Sequence, residues 1–187
     1  MPTITRIVQP YYEEPGFYAV SKDRTEDVFG NALNILANHV GTIVMREALP
    51  KDLSIFNQTL LTSAVRFGAE QHSALLSGRY INATKADKKI PPGGRCYYWQ
   101  ERAREHSRVF VHLNYILKTR DPKNLIAATI ATHEFGHSFG LQHCSQEDCL
   151  MQPQHPNSLE WAKKMLISDM FCRDCTDLLA IRRPNAA

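Results

Sequence analysis

The chain lacks any apolar run close to the ~20 residues of a membrane span; its longest apolar-leaning stretch, 125–132, is far shorter. It also lacks a charge excess. Twenty-two Lys and Arg against 19 Asp and Glu leave a formal charge of +3, too mild to imply a nucleic-acid or membrane partner by itself. No internal repeat and no low-complexity tract is present, which excludes solenoid and fibrous architectures. The opening Met-Pro-Thr-Ile-Thr-Arg-Ile has neither the apolar centre nor the small-residue cleavage site of a secretory signal. A cytoplasmic location is therefore expected, and the sequons at Asn57 and Asn82 carry no weight.

What remains is 187 residues, 43% of them hydrophobic, enough for one core and one domain's worth of chain. A monomer is the default. Five Cys and eight His are the informative counts. In a chain without a secretory signal, cysteines point to metal ligation or catalysis rather than disulfides.

Thr3–Val8 reads as a first strand ended by Pro10. Asp23–Asn38 has helical spacing, Gly41 closes it, and Thr42–Met45 is β-branched enough for a second strand. Residues 52 to 77 read as mainly helical. Pro91-Pro92-Gly93-Gly94 is a loop by its turn residues, and Arg95–Gln100 and Arg108–Leu117 are expected to pair as a hairpin. Asp121-Pro122 supplies a cap and a first-turn proline for a helix reaching about Phe139, with Gly140 as its stop. Residues 144 to 157 are a loop, Ser158 caps a helix to about Ile167, and Cys172 opens a last short helix. Strands before helices, with some alternation, indicate an α+β (α/β-like) layer rather than a bundle.

The run His133-Glu134-Phe135-Gly136-His137-Ser138-Phe139-Gly140-Leu141-Gln142-His143 carries the chemistry. His133 and His137 are four apart on a helix, so their imidazoles share a face and can share one ion. Gly140 can take a left-handed conformation and turn the chain so that His143 becomes a third nitrogen ligand. Zinc with three protein ligands keeps its fourth position for water, as catalytic sites do. Glu134, next to a ligand, is placed to take a proton from that water as it attacks a carbonyl.

Cys144, Cys149 and the Cys172–Cys175 C-x-x-C form two close pairs, the pattern of a closed, structural zinc site with four thiolate ligands. Two disulfides or four unrelated thiols are the competing readings. Cys96 is left over as a buried small hydrophobe. The tail from 144 is too short to bury a core of its own, so a metal would pin it. Because Cys144 adjoins His143, ordering that site would also fix the third histidine. His39, His72, His106, His112 and His155 read as surface or packed residues.

The His133–His143 run resembles the metzincin metalloproteases. Cys144, Cys149, Met151, Cys172-Arg173-Asp174-Cys175 and Asn157-Ser158-Leu159-Glu160 narrow the resemblance to the archaemetzincins. It implies a metzincin-type zincin fold: a twisted mixed sheet with a backing helix and an active-site helix, and a small zinc-pinned C-terminal subdomain. Residues 1–140 would be the catalytic subdomain and 141–187 the subdomain with the Met-turn at Met151 and the four-cysteine site. It also implies two zinc ions, one catalytic and one structural, and an extended peptide paired with an edge strand above the active-site helix. Arg95–Glu101 is the candidate edge. Tyr97, Tyr98 and Trp99 would line subsites there or pack as core.

The leading expectation is thus a zinc metallopeptidase acting through Glu134 and a zinc-bound water on peptide or protein substrates, with no nucleic-acid or membrane partner. A metal-dependent endoribonuclease with three histidines is the rival, but that bacterial family has Gly where Glu134 stands. A non-catalytic zinc-binding regulatory module is the third reading.

Overall fold

A computed structural model describes residues 5–14, 19–51, 72–78, 93–101, 104–113, 124–153, 159–167 and 170–181. Among these, six strands form one mixed sheet: β1 (Arg6–Glu13), β2 (Ile43–Met45), β3 (Leu49–Lys51), β4 (His72–Ser77), β5 (Gly94–Glu101) and β6 (Arg104–His112). The order is β2-β1-β4-β6-β5, with β3 also paired to β1. All pairings are parallel except β5 with β6, so the expected hairpin is present and β5 ends the sheet. Four helices accompany it: α1 (Lys22–Val40), α2 (Leu125–Ser138), α3 (Leu159–Ile167) and α4 (Arg173–Ile181). This is the mixed α+β architecture expected, with α1 behind α2 and α2 against β5 and β6.

Three local expectations are corrected. The first strand does not stop at Pro10 but runs through it to Glu13. Val8 accepts from the Arg46 amide on the β2 side, so by alternation the Pro10 nitrogen faces that side too. There β2 has ended and β3 has not begun, and the missing N–H removes no ladder bond. Residues 72–77 are a strand, not helix; every residue of β4 is buried between parallel neighbours, and so short a run has no periodicity to betray it. Residues 52–71, the rest of that expected helix, lie outside the described residues. Finally, α2 starts at Leu125 with Asn124 as its N-cap, later than the Asp121-Pro122 reading, and those two positions are likewise outside the described residues. Asn124 sits at φ 52 and ties the helix start to α1: its Oδ1 accepts from Arg24 and its Nδ2 donates to Asp27, at 2.9 and 2.7 Å.

Helix α2 is buried on every face from Ile126 to Gly136. Its polar residues survive this because they are satisfied locally: Thr129 and Thr132 donate to the carbonyls of Leu125 and Ala128, at 2.6 and 2.8 Å. Val8, Leu76, Val109 and Val111 of the sheet, Phe29 and Leu36 of α1, and Phe135 of α2 share one core. Leu150, Met151, Met165, Phe171 and Leu179 from the tail belong to the same core. The segment bearing His133 and His137 is therefore held from all sides.

Candidate metal centres and active site

Helix α2 ends in a Schellman turn. The Leu141 amide donates to Gly136 and the Gly140 amide to His137, both at 2.9 Å, with Gly140 at φ +90°. A side chain at that φ is strained by roughly 1–2 kcal/mol. Gly140→Ala should therefore lower the Tm by several degrees, read by thermal denaturation, and loosen the exit toward His143. A Tm equal to wild type would mean that the turn relaxes without cost.

That turn brings the three histidines together, with one ring nitrogen of each within 4.8 Å of the others. The Nε2 atoms of His133 and His137 are 3.1 Å apart. Nitrogen ligands of tetrahedral zinc, at ~2.1 Å from the ion, would stand about 3.4 Å from one another. The Nδ1 atoms face the other way, each against a carbonyl: His133 with Leu150 at 2.7 Å, His137 with Leu141 at 2.9 Å. A carbonyl only accepts, so Nδ1 carries the proton and Nε2 keeps its lone pair for a ligand. Burial holds His137 below the ordinary imidazole range, against the Leu141 bond, and His143 pushes the same way. The site accordingly favours neutral, ligand-competent imidazole. His143, on the loop, is exposed.

The four cysteines also converge. Cys144 and Cys172, and Cys149 and Cys175, are paired with sulfurs 3.6 Å apart, and all four sulfurs lie within 4.8 Å. A disulfide would put them ~2 Å apart, whereas two thiolates on a tetrahedral zinc stand about 3.8 Å apart. Burial, then the thiols of Cys149 and Cys172, push the Cys175 thiol far up, because adjacent thiolates need a shared cation. The donor set therefore fits a metal. Cys96 stands apart in β5, and His39, His72, His106 and His112 join neither cluster among the described residues. His39 packs edge-on against Phe171, and His72 reaches Ser107 at 2.9 Å. His155 lies outside the described residues.

Met151, fully buried, lies under the first turn of the motif: a Cβ on Gly136 would come 2.6 Å from its sulfur. The backbone of this segment interlocks the two clusters. Cys144 donates its amide to Met151 at 2.8 Å, and Leu150 donates to Met170 at 2.7 Å. The Leu150 carbonyl that orients His133 thus sits between Cys149 and Met151. No side-chain motif announces it, and backbone partners of this kind are what sequence reading misses. Tyr97, half-buried, packs edge-on against Phe110 on the sheet face away from α2.

Glu134 is buried beside the histidines. Burial raises its carboxyl to about 8, with Arg95 pulling the other way. Without metal, the folded chain therefore holds a proton on Glu134 that the unfolded chain releases above 4.5. The unfolded state then binds fewer protons, so metal-free stability falls as pH rises, by up to about 1.4 kcal/mol per pH unit, and levels off above about 8. Metal-free Glu134→Gln lacks that loss. Its Tm advantage over metal-free wild type should widen from about pH 5 to about 8; a constant gap would contradict the burial argument.

A mixed sheet, a buried helix bearing two histidines, a glycine turn to a third and a methionine beneath them are the features that the resemblance to the metzincins implies. Residues 99–181 match the model of peptidase family M54. The archaemetzincin of Methanopyrus kandleri is 48% identical over 48 residues, 26% of this chain and 25% of that protein. This match thus spans about a quarter of the curated relative's length. Among solved structures, the archaemetzincin of Methanopyrus kandleri superposes with a TM-score of 0.68 at 18% identity, over 95% of each chain. A zinc-dependent peptidase from Methanocorpusculum labreanum gives 0.58 at 15%, over 92% of this chain and 99% of that one. At such identities these structures speak to the fold.

Proposed function

We propose that the protein is a zinc metallopeptidase that hydrolyses peptide bonds, with His133, His137 and His143 as ligands of the catalytic ion and Glu134 as general base. The carrying observation is the convergence of three imidazoles, two of them with Nδ1 protons fixed on carbonyls, beside a buried carboxylate. Zinc bound there would polarise the scissile carbonyl and make a neighbouring water more acidic. Glu134 takes the water's proton and returns it to the leaving amine. Burial suits the task, because a carboxylate in a dry pocket is a stronger base than one in water. The outer edge of β5 is where an extended peptide would pair, with its scissile bond brought over α2.

A second zinc at Cys144, Cys149, Cys172 and Cys175 is structural in this reading. The division between residues 1–140 and 141–187 is then one of task, not of core: the tail supplies the third ligand, the methionine floor and the four-cysteine clasp while packing into the common core. No helix among the described residues is long and apolar enough to cross a membrane. The undisulfided thiols favour a cytoplasmic location, and one chain holds every proposed site residue, so a monomer suffices.

The test is a degenerate peptide library incubated with the zinc-loaded protein, with and without a chelator, and an RNA pool run alongside. Chelator-sensitive peptide cleavage supports the proposal. RNA cleavage without peptide cleavage, or neither, overturns it.

A further inference from the structure

We infer that Gly94 is a positioning residue for Glu134, the bare backbone at the head of the edge strand serving as the wall that sets where the carboxylate stands. This rests on the reading of Glu134 as general base. Strand β5 begins at Gly94, on the sheet face turned to α2. A Cβ built there would lie 2.7 Å from the Glu134 Cγ, 2.8 Å from the Ile130 Cγ2 and 2.9 Å from the Glu134 Oε1. Real Cβ atoms essentially never come within 3.0 Å of another heavy atom, so something must shift. At Gly93 the nearest contact, 2.6 Å, is to the mobile tip of Ile130, which can swing aside. At Gly94 two of the three atoms belong to Glu134, and the third is a branch methyl that β-branching fixes near one rotamer.

Neither backbone can yield instead. Helix α2 is buried all round here, wedged between α1 and the sheet. The strand is held in register, Gly94 opposite Val111, by the His112 amide donating to the Gly93 carbonyl at 2.8 Å. Gly94 does not adopt a left-handed backbone, unlike Gly41 and Gly140, so its lack of a side chain answers a need for space rather than for an unusual turn. Of the groups in contact, the Glu134 side chain is the most free to move. A single methyl at position 94 would push it, and an ångström of misplacement at a reacting group costs about 10²-fold in rate. The contact also joins the proposed peptide-binding edge to the base: a strand paired on β5 stands at a separation from Glu134 that Gly94 determines.

The experiment compares wild type, Gly94→Ala, Glu134→Ala and the double variant, all zinc-loaded, using a peptide selected from the library. Gly94→Ala should lose about 10²-fold in kcat with KM within about twofold and zinc content unchanged. Its Tm loss should be largest in the wild-type background and smaller beside Glu134→Ala, where two of the three close contacts are gone and only the Ile130 methyl remains. If Gly94→Ala does not fold but the double variant does, the clash is still assigned to Glu134. A kcat within about twofold of wild type, an equal Tm loss in both backgrounds, or failure of both variants to fold overturns the inference. Wild-type hydrolysis by Glu134→Ala alone would instead sink the general-base reading, while the Tm cycle would still report the contact.

Discussion

Glu134→Ala is expected to keep metal at both clusters and to lose about 10²–10⁴-fold in peptide hydrolysis, the usual contribution of a positioned general base. The expectation follows from the division of labour along one helical turn. His133 and His137 present Nε2 to a common point and are held by the Leu150 and Leu141 carbonyls, none of which involves Glu134. Removing the carboxylate would leave the proposed ligand set untouched and remove the group proposed to accept the proton. Zinc content by atomic absorption and initial rates on a selected peptide separate the two effects. If the variant cleaves as fast as wild type, Glu134 is not the base. If it loses the metal, Glu134 supports the ligands in a way that the geometry gives no reason to expect.

Cys175→Ser is expected to have the second large effect, and to reach beyond its own cluster. Cys175 is buried 3.6 Å from Cys149, and a hydroxyl is a poor substitute for a thiolate on zinc. The proposed clasp would hold two parts of the histidine site: Cys144 is joined to His143, and Cys149 precedes the Leu150 carbonyl bonded to His133. Loosening an orienting partner typically weakens a metal site by about 10–100-fold. Metal affinity at the three histidines should fall by at least that range, read as the visible spectrum of cobalt during chelator titration. Cys172→His should retain most of the affinity, because three thiolates and an imidazole still close a zinc site. An unchanged cobalt affinity in Cys175→Ser would show that the shared core alone holds the tail.

Activity is also expected to fall in acid as His133, His137 and His143 take protons in place of metal. A flat rate profile down to about pH 5 would count against the three-histidine site.

The histidine and cysteine clusters were legible because their chemistry is local. Four-residue spacing puts His133 and His137 on one face, Gly140 supplies the turn, and adjacency ties His143 to Cys144. Helix α1 was legible for the same reason, with a periodic apolar face and a glycine stop. The misread elements depend on partners far along the chain. His72–Ser77 is a strand because β1 and β6 lie on either side of it. Pro10 is tolerated because one neighbouring strand ends where the next begins.

The same boundary runs through the site. Composition and spacing alone determined which side chains could bind metal and which carboxylate stands beside them, since ligand chemistry and helical pitch are properties of neighbouring residues. Only the tertiary structure decided which carbonyls hold the imidazoles, that Met151 fills the space Gly136 leaves, and that the head of β5 presses on Glu134. Apart from the His137–Leu141 bond, which spans four residues, those are contacts between segments further apart in the chain, made by backbone atoms or by missing side chains, and neither leaves a mark on the order of the residues.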